Sequence, residues 1–392
     1  MMTTVPDVGL YIHYPFCRRK CSYCDFYSEE RGLNRRTQYH QALLKELDLR
    51  LSTARAKVAT VYIGGGSPNL MPPAGIAEIF RKIRSDTRLG SNSELSIELN
   101  PGAVSKSFLT ALKSLGINRV SIGAQSFHDD ELKTLGRSHQ SADIMKLVER
   151  LKDLPIANFG LDLIFGIPGQ TLSSWEKSLE YALQTAAEHL SLYCLSLEKG
   201  TALTNACLSG ILQPLDEQIE WSMYQTAAWI LAEAGYEHYE ISNWAKPGRF
   251  SRHNQRYWSG KTYYGFGPAA HSFDGQRRWW NVASIDEYIS RLENDTLPVE
   301  RSEILSPSEK ITELFQLKLR TSDGLTDIEY QKLTGIAFDD LIDRMRQFFG
   351  AQFDRYFEFD GKRLRSTLEG WFVNDYLVTK LLALNEELQD GD

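Results

Sequence analysis

The feature that most limits what this chain can fold into is an alternation. Six short apolar runs, "GLYIHY", "VATVYIG", "ELSIEL", "RVSIG", "FGLDLIF" and "LSLYCLSL", punctuate its first half. Between them lie helical patterns such as "TQYHQALLKELDLRL", "PAGIAEIFRKI" and "SWEKSLEYALQTA". The second opens on prolines, which suit a first helical turn. Near-continuous apolar strands are expected where a parallel sheet is covered on both faces. Repeated strand–helix units therefore predict an α/β fold with a parallel sheet. Six units fall short of the eight of a closed barrel, so the expectation is a partial (β/α)6 barrel. Functional residues in such sheets collect at the carboxyl ends of the strands. Cys17 follows the first run, Gly64 to Gly66 follow the second, Glu98 ends the third and Gln125 follows the fourth. They line one rim.

After "LSLEKGTAL" the alternation fades into a long helix, "DEQIEWSMYQTAAWILAEAG". Three segments are expected: the barrel over 1–235, an aromatic and glycine-rich segment over 236–300, and a small, mainly helical carboxyl-terminal domain over 301–392. The net charge of -7 argues against a nucleic-acid groove, which needs clustered basic surface. The densest basic stretch, "RGLNRRTQYH", reads as a solvated helix face. The amino terminus lacks the pattern of a signal peptide, and no apolar run is long enough to span a membrane. A cytoplasmic location is expected, with peripheral membrane contact left open.

Three of the five cysteines crowd into "CRRKCSYCDF", as Cys17, Cys21 and Cys24. In a cytosolic protein such a cluster points to metal rather than to disulfides. Structural zinc takes four protein ligands, so His13 or a remote thiol would have to complete the set. Cys194 and Cys207 lie far along the chain, and Cys194 reads as a small buried hydrophobe. An iron–sulfur cube also takes four ligands. Three cysteines would leave one iron open to a chelating small molecule.

C-x3-C-x2-C is the spacing of the radical S-adenosylmethionine superfamily, which this stretch resembles. There the small molecule is S-adenosylmethionine, bound to the open iron of a 4Fe-4S cluster through its amino and carboxylate groups. The cluster's electron can cleave the sulfonium's carbon–sulfur bond; the protein orients these partners. On this reading Tyr23 packs against the adenine. "GGGSP" after the second strand lets backbone approach a ligand closely, although a tight turn would use the same glycines. Glu98 and Asp162 are acidic residues inside apolar strands, costly unless partnered. Ribose hydroxyls would partner them, and so would a salt bridge to Arg137. Gln125 and Arg137 could contact the cofactor's carboxylate or hydroxyls.

Taken together, "LYIHYPFCRRKCSYCDF", "VYIGGGSP", "SIELNPG", "SIGAQSF", "LGRSH" and "GLDLIFGIPGQT" resemble the HemN-like branch of that superfamily, which includes the oxygen-independent coproporphyrinogen III dehydrogenases. The resemblance runs from about Leu10 to Thr171 and again through the carboxyl-terminal region. It implies that Cys17, Cys21 and Cys24 hold the cluster. It also places Tyr11, Gly65, Gly66, Ser67, Glu98, Gln125, Arg137 and Asp162 at S-adenosylmethionine. Two departures tell against porphyrinogen decarboxylation. Phe26 stands where the dehydrogenases carry a further cysteine, and Cys17 lies close to the start of the chain, where they carry an extension that helps enclose substrate.

"RHNQRYW", with His253, Asn254, Tyr257 and Trp258, is similar to the HNxxYW motif of the haem chaperones in this branch. Imidazole is a common axial ligand of haem iron. Tyr257 and Trp258 offer flat apolar faces, and Asn254 could orient the imidazole. His271, in the following "GFGPAAHSF", is the reserve ligand. A lone histidine, however, more often serves simply as a core or surface residue. The implied function is a chaperone that takes up haem and passes it to an acceptor protein. The alternative is a radical enzyme acting on a porphyrin-related substrate by coproporphyrinogen III decarboxylation, or a HemN-like methyltransferase. A homodimer is compatible with either.

Overall fold

Strand pairing follows chain order. β1 (Asp7–Tyr14), β2 (Lys57–Gly65), β3 (Arg88–Leu99), β4 (Arg119–Gln125), β5 (Asn158–Phe165) and β6 (His189–Cys194) lie side by side, each parallel to the next. This is a computed structural model that describes residues 7–30, 32–51, 56–154, 156 and 158–390. The outermost residues of the expected segments, and Arg31 of the basic stretch, lie outside the described residues. The six strands are the six apolar runs, and the partial α/β barrel is present.

The expectation of strands apolar on both faces needs correcting. Leu10, Ile12, Val61, Ile63, Ile97, Val120, Ile122, Leu161 and Leu190 form one buried face. It packs under the helices Leu33–Leu51, Pro73–Asp86, Lys106–Ser114, Ser141–Lys152 and Leu172–Gln184. These helices return a matching stripe: Tyr39, Leu43, Leu47 and Leu51 on the first, Ile76, Ile79, Phe80 and Ile83 on the second. The alternate strand positions carry Tyr62, Ser96, Glu98, Ser121, Asp162, Ser191 and Tyr193, which face a cavity inside the curved sheet. Side chains alternate across a strand with period two, so a polar inner face hides within runs that are apolar on average.

The segment after the barrel extends both edges of the same sheet. β7 (Glu237–Glu240) and β8 (Asn243–Ala245) continue it beyond β6. β9 (Tyr263–Phe266) pairs parallel with β1, and β10 (His271–Phe273), β11 (Arg277–Asn281) and β12 (Val299–Ile304) follow antiparallel. Among the described residues the sheet has 12 strands. β12 runs across residue 300, where a segment boundary was expected.

The carboxyl-terminal part is mainly helical. It packs a core of its own around Phe315, Tyr330, Leu341, Met345, Leu377 and Leu381 beside a small three-stranded sheet. It is tied back to the barrel at β7: Ile241 N donates to Arg320 O at 3.0 Å, and Arg320 Nε and Nη2 donate to Glu240 Oε1 at 2.9 and 2.7 Å.

Candidate cofactor site

The cysteine loop leaves β1 and is closed at its base by two backbone hydrogen bonds. Cys17 N donates to Glu29 O at 3.1 Å and Glu29 N to Pro15 O at 2.7 Å. Its far side is held by the segment "LGRSH". Ser22 N donates to Leu135 O at 3.0 Å and Ser22 Oγ to Thr134 O at 2.9 Å. Gly136, at φ +70°, passes so close that a Cβ there would stand 2.9 Å from Ser22 N. Tyr23 packs with Leu135, Ile164 and Ile167. Held in this way, Cys17, Cys21 and Cys24 are free thiols lining one cavity. Burial pushes the Cys24 thiol up.

The cavity has a volume of about 680 Å³, in the range of small-molecule sites. Gly65, Gly66 and Ser67 line it beside the thiols. Gly65 has φ +108°, and a Cβ on Gly66 would stand 2.7 Å from Phe16 O. Backbone is exposed here because side chains have no room. Ser67 Oγ sits 3.7 Å from Cys17 Sγ and accepts from Asn100 Nδ2 at 2.8 Å.

Glu98 and Asp162 both face the cavity, and the alternative to a ligand there, a salt bridge to Arg137, does not form. Glu98 accepts instead from Tyr62 Oη at 2.9 Å and Gly65 N at 3.0 Å. Burial, with the charge of Asp162 added, raises its carboxyl from 4.5 to about 7. Asp162 accepts from Ser121 Oγ at 3.0 Å, and burial raises it too. Arg137 spends its donors on Asn100 Oδ1 at 2.5 Å, Gly123 O at 2.8 Å and Cys21 Sγ at 3.4 Å. Arg137 Nε and Ser96 Oγ are buried without a partner. Gln125, at φ +66°, also lines the cavity. A non-glycine residue held there costs roughly 1 kcal/mol or more, a strain that clusters at ligand sites.

The helix Arg252–Trp258 sits apart from the thiols, at the amino-terminal ends of the strands. Glu94 Oε2 and Oε1 accept from Arg252 N and His253 N, each at 2.9 Å, which places a carboxylate at the helix's positive end. Arg256 Nη2 donates to Asp7 O at 2.6 Å. His253 is 1% exposed, with Nδ1 2.8 Å from Thr60 Oγ1 and Nε2 2.8 Å from Tyr257 Oη. Burial and the neighbouring Arg256 lower it to about 3, so the ring is neutral. Trp258 lies 4.3 Å beneath the Arg320 guanidinium.

The structure thus brings Cys17, Cys21, Cys24, Tyr23, Gly65, Gly66, Ser67, Glu98, Gln125, Arg137, Asp162 and Asn254 to one cavity. Tyr11, His253, Tyr257 and Trp258 do not line it. Tyr11 is buried with its hydroxyl 3.0 Å from His13 Nδ1. His271 is exposed and stacks on Trp280 at 5.6 Å. Sequence reasoning missed Tyr62, Asn100, Arg119 and His189, all in the lining. Cys194, expected to be buried, is exposed and lines the cavity. The signal that would have found Arg119 and His189 is the two-residue period in "RVSIGAQ" and "HLSLYC".

Residues 11–182 match the family described as the Radical SAM superfamily. The heme chaperone HemW of Bacillus subtilis (strain 168) is 35% identical, across 84% of this chain and 88% of its own length. HemW of Mycobacterium tuberculosis (strain ATCC 25618 / H37Rv) is 33% identical, across 96% and 95%. The Bos taurus protein "Radical S-adenosyl methionine domain-containing protein 1, mitochondrial" is 33% identical, across 97% and 88%. Among solved structures, the coproporphyrinogen III oxidase HemN of Escherichia coli superimposes with a TM-score of 0.82 at 20% identity, covering 97% of this chain and 90% of its own. The chain belongs to the radical SAM superfamily and, within it, to the family of the HemW proteins.

Proposed function

We propose that this protein is a haem chaperone, binding haem and passing it to an acceptor protein while holding a 4Fe-4S cluster and S-adenosylmethionine in the rim cavity. The observation that carries this reading is three free thiols beside a glycine cradle, in a chain 35% identical over 84% of its length to a protein named heme chaperone. Among the described residues no three histidine, cysteine, aspartate or glutamate side chains converge on a single-ion site. A cluster of several irons asks its thiolates to sit at separate corners instead. Cys17, Cys21 and Cys24 would hold that cluster, which supplies an open iron and an electron when bound. Gly65, Gly66 and Ser67 would receive the methionine part of the sulfonium. The unpartnered Arg137 Nε, with Gln125, would meet polar groups of the cofactor, while Glu98 and Asp162 would accept from hydroxyls. Tyr11 would act from behind this shell, fixing His13, whose Nε2 lies 2.9 Å from Tyr27 O in the cysteine loop.

For the haem iron, His253 would have to give up one of its two hydroxyl contacts and leave a site where it is 1% exposed, whereas the exposed His271 already presents a ring stacked on Trp280. Anaerobic haem titration of the full chain tests both. Stoichiometric binding is expected, with a Soret band that changes in His271→Ala or in His253→Ala. A band unaltered in both variants removes histidine ligation, and absence of saturable binding removes the chaperone reading.

A decarboxylase is disfavoured because Phe26, 71% exposed, stands at the cavity mouth where the dehydrogenases carry a cysteine. Coproporphyrinogen III supplied with reductant and S-adenosylmethionine should give no protoporphyrinogen. Sustained product would reverse that choice. Among the described residues no helix is long and apolar enough to cross a membrane. The five free thiols suit the reducing, cytoplasmic setting we propose.

A further inference from the structure

At the end of the cavity away from the thiols stands a cation with no counter-ion. Arg119, on the inner face of β4, is 3% exposed and lines the cavity. Its Nη1 donates to Asn158 Oδ1 at 3.2 Å and to Arg249 O at 3.0 Å, both neutral acceptors. Among the described residues it enters no ion pair, although its charge is felt by Asp162 and His189. A buried charge is costly unless an opposite charge and further hydrogen bonds offset it. Asp162 is already engaged by Ser121 and Ser191. The guanidinium's remaining donors are therefore left for something that enters the cavity.

The neighbours of Arg119 are donors too. His189 Nε2 lies 2.6 Å from Tyr239 Oη, and that hydroxyl also accepts from Ser251 N at 3.3 Å. We assign the phenol's one proton to the hydrogen bond with Nε2, since Ser251 N already donates to the oxygen, and this assignment puts the imidazole proton on Nδ1. That atom is buried and unpartnered. Burial and the charge of Arg119 hold the ring neutral. The Gly160 backbone packs against this ring, and a Cβ there would stand 3.2 Å from Nδ1 and push it aside. Asn254, in the lining of the same cavity, uses its backbone N–H on Ser251 Oγ, while its carboxamide has no protein partner among the described residues. Ser96 Oγ is likewise buried and unpartnered.

We propose that this end of the cavity is a carboxylate-binding subsite. Arg119 pairs with the anion, and Asn254 Nδ2 and His189 Nδ1–H donate to its oxygens. One cation matches one negative charge. The two carboxylates farther along the cavity, Asp162 and Glu98, oppose a dianion such as phosphate. A small organic acid with an uncharged or hydroxyl-bearing body fits both ends of that field. The subsite shares Asn254 with the HNxxYW motif, but neither candidate iron ligand, His253 or His271, lines the cavity, so its test and the haem titration can fail separately.

Isothermal titration of the anaerobically reconstituted full chain with propionate tests the proposal, with propionamide and inorganic phosphate as comparison ligands. Saturable propionate binding is expected, weakened at least tenfold in Arg119→Met, partly restored in Arg119→Lys, and absent for propionamide. Asn254→Ala, which leaves the Asn158 and Arg249 contacts of Arg119 in place, should weaken propionate several-fold. That variant decides the matter if Arg119→Met does not fold. Absence of saturable propionate binding in the unaltered protein would overturn the proposal. So would equal affinity for propionamide or phosphate, or affinity unchanged in Asn254→Ala and in every foldable Arg119 variant.

Discussion

Glu98 shows how a single side chain can be held out of its ordinary state by its surroundings. Its carboxyl is buried, accepts only two neutral hydrogen bonds and faces Asp162, so it titrates near 7 rather than 4.5. Because the folded value is raised, the unfolded chain loses its proton first as pH rises. Stability is therefore full below about 4.5 and falls until the folded group ionises at about 7. The loss is roughly 3 kcal/mol at 1.36 kcal/mol per unit. Denaturant titrations of the apoprotein at pH 5 and pH 8 should show most of that difference, and Glu98→Gln should abolish its share; an equal slope in the variant would refute the assignment. Gly66→Ala is a second residue-scale prediction. Its Cβ would meet Phe16 backbone at 2.7 to 3.0 Å, so a loss of about 1–3 kcal/mol is expected, with weaker S-adenosylmethionine binding by equilibrium dialysis. The thiols, the glycines, Glu98 and Asp162 were legible in the sequence because each is chemically out of place in its surroundings. Arg119 and His189 were overlooked: the two-residue period puts both on the inner face, but each stands first in its strand and reads as a solvated end until the curvature of the sheet closes over it.

At the scale of elements, the cysteine loop depends on a segment more than a hundred residues away in sequence. The backbone of Gly136 lies against Ser22, in the middle of the thiol triplet. Gly136→Ala combines a left-handed φ of +70° with a Cβ 2.9 Å from Ser22 N, whereas Gly335, at φ +76°, has nothing within 4 Å. Both substitutions should cost about 1–2 kcal/mol for the backbone conformation alone. Only Gly136→Ala should also displace the loop, lowering iron bound per chain after anaerobic reconstitution to well under half. Equal iron content in the two variants would show that the contact is immaterial. The six barrel strands were readable because an apolar outer face repeats along each of them. β9 to β12 were not readable, being short and defined by partners on the sheet edge rather than by any pattern of their own. The helix Arg252–Trp258 carries a local cap, Ser251 Oγ accepting from Asn254 N. It was legible only as a motif because its other amino-terminal donors, Arg252 N and His253 N, are held by Glu94 of a distant strand.

Over the whole molecule, one arginine joins three parts that sequence separates. Arg320 ends the helix Pro307–Leu319, grips Glu240 on β7 through two nitrogens and covers the ring of Trp258 at 4.3 Å. The Glu240 side chain is 1% exposed, so removing its cation strands a buried charge, which costs about 3 kcal/mol or more. Asn243 Nδ2 also donates to that carboxylate and softens the penalty. Arg320→Lys keeps a charge but loses the fork and the stacked plane, so it should recover only part of the loss. The carboxyl-terminal part has its own core around Phe315, Leu341 and Leu377, and can therefore come loose without melting the barrel. Urea unfolding followed by far-ultraviolet circular dichroism should show one transition in the unaltered protein and two in Arg320→Ala. Hydrogen exchange should then accelerate first in Pro307–Leu319 and at Trp258. If Arg320→Ala unfolds in a single transition at the same midpoint, the junction is held by the apolar contacts of Trp221 with Phe372 and of His238 with Trp371 instead.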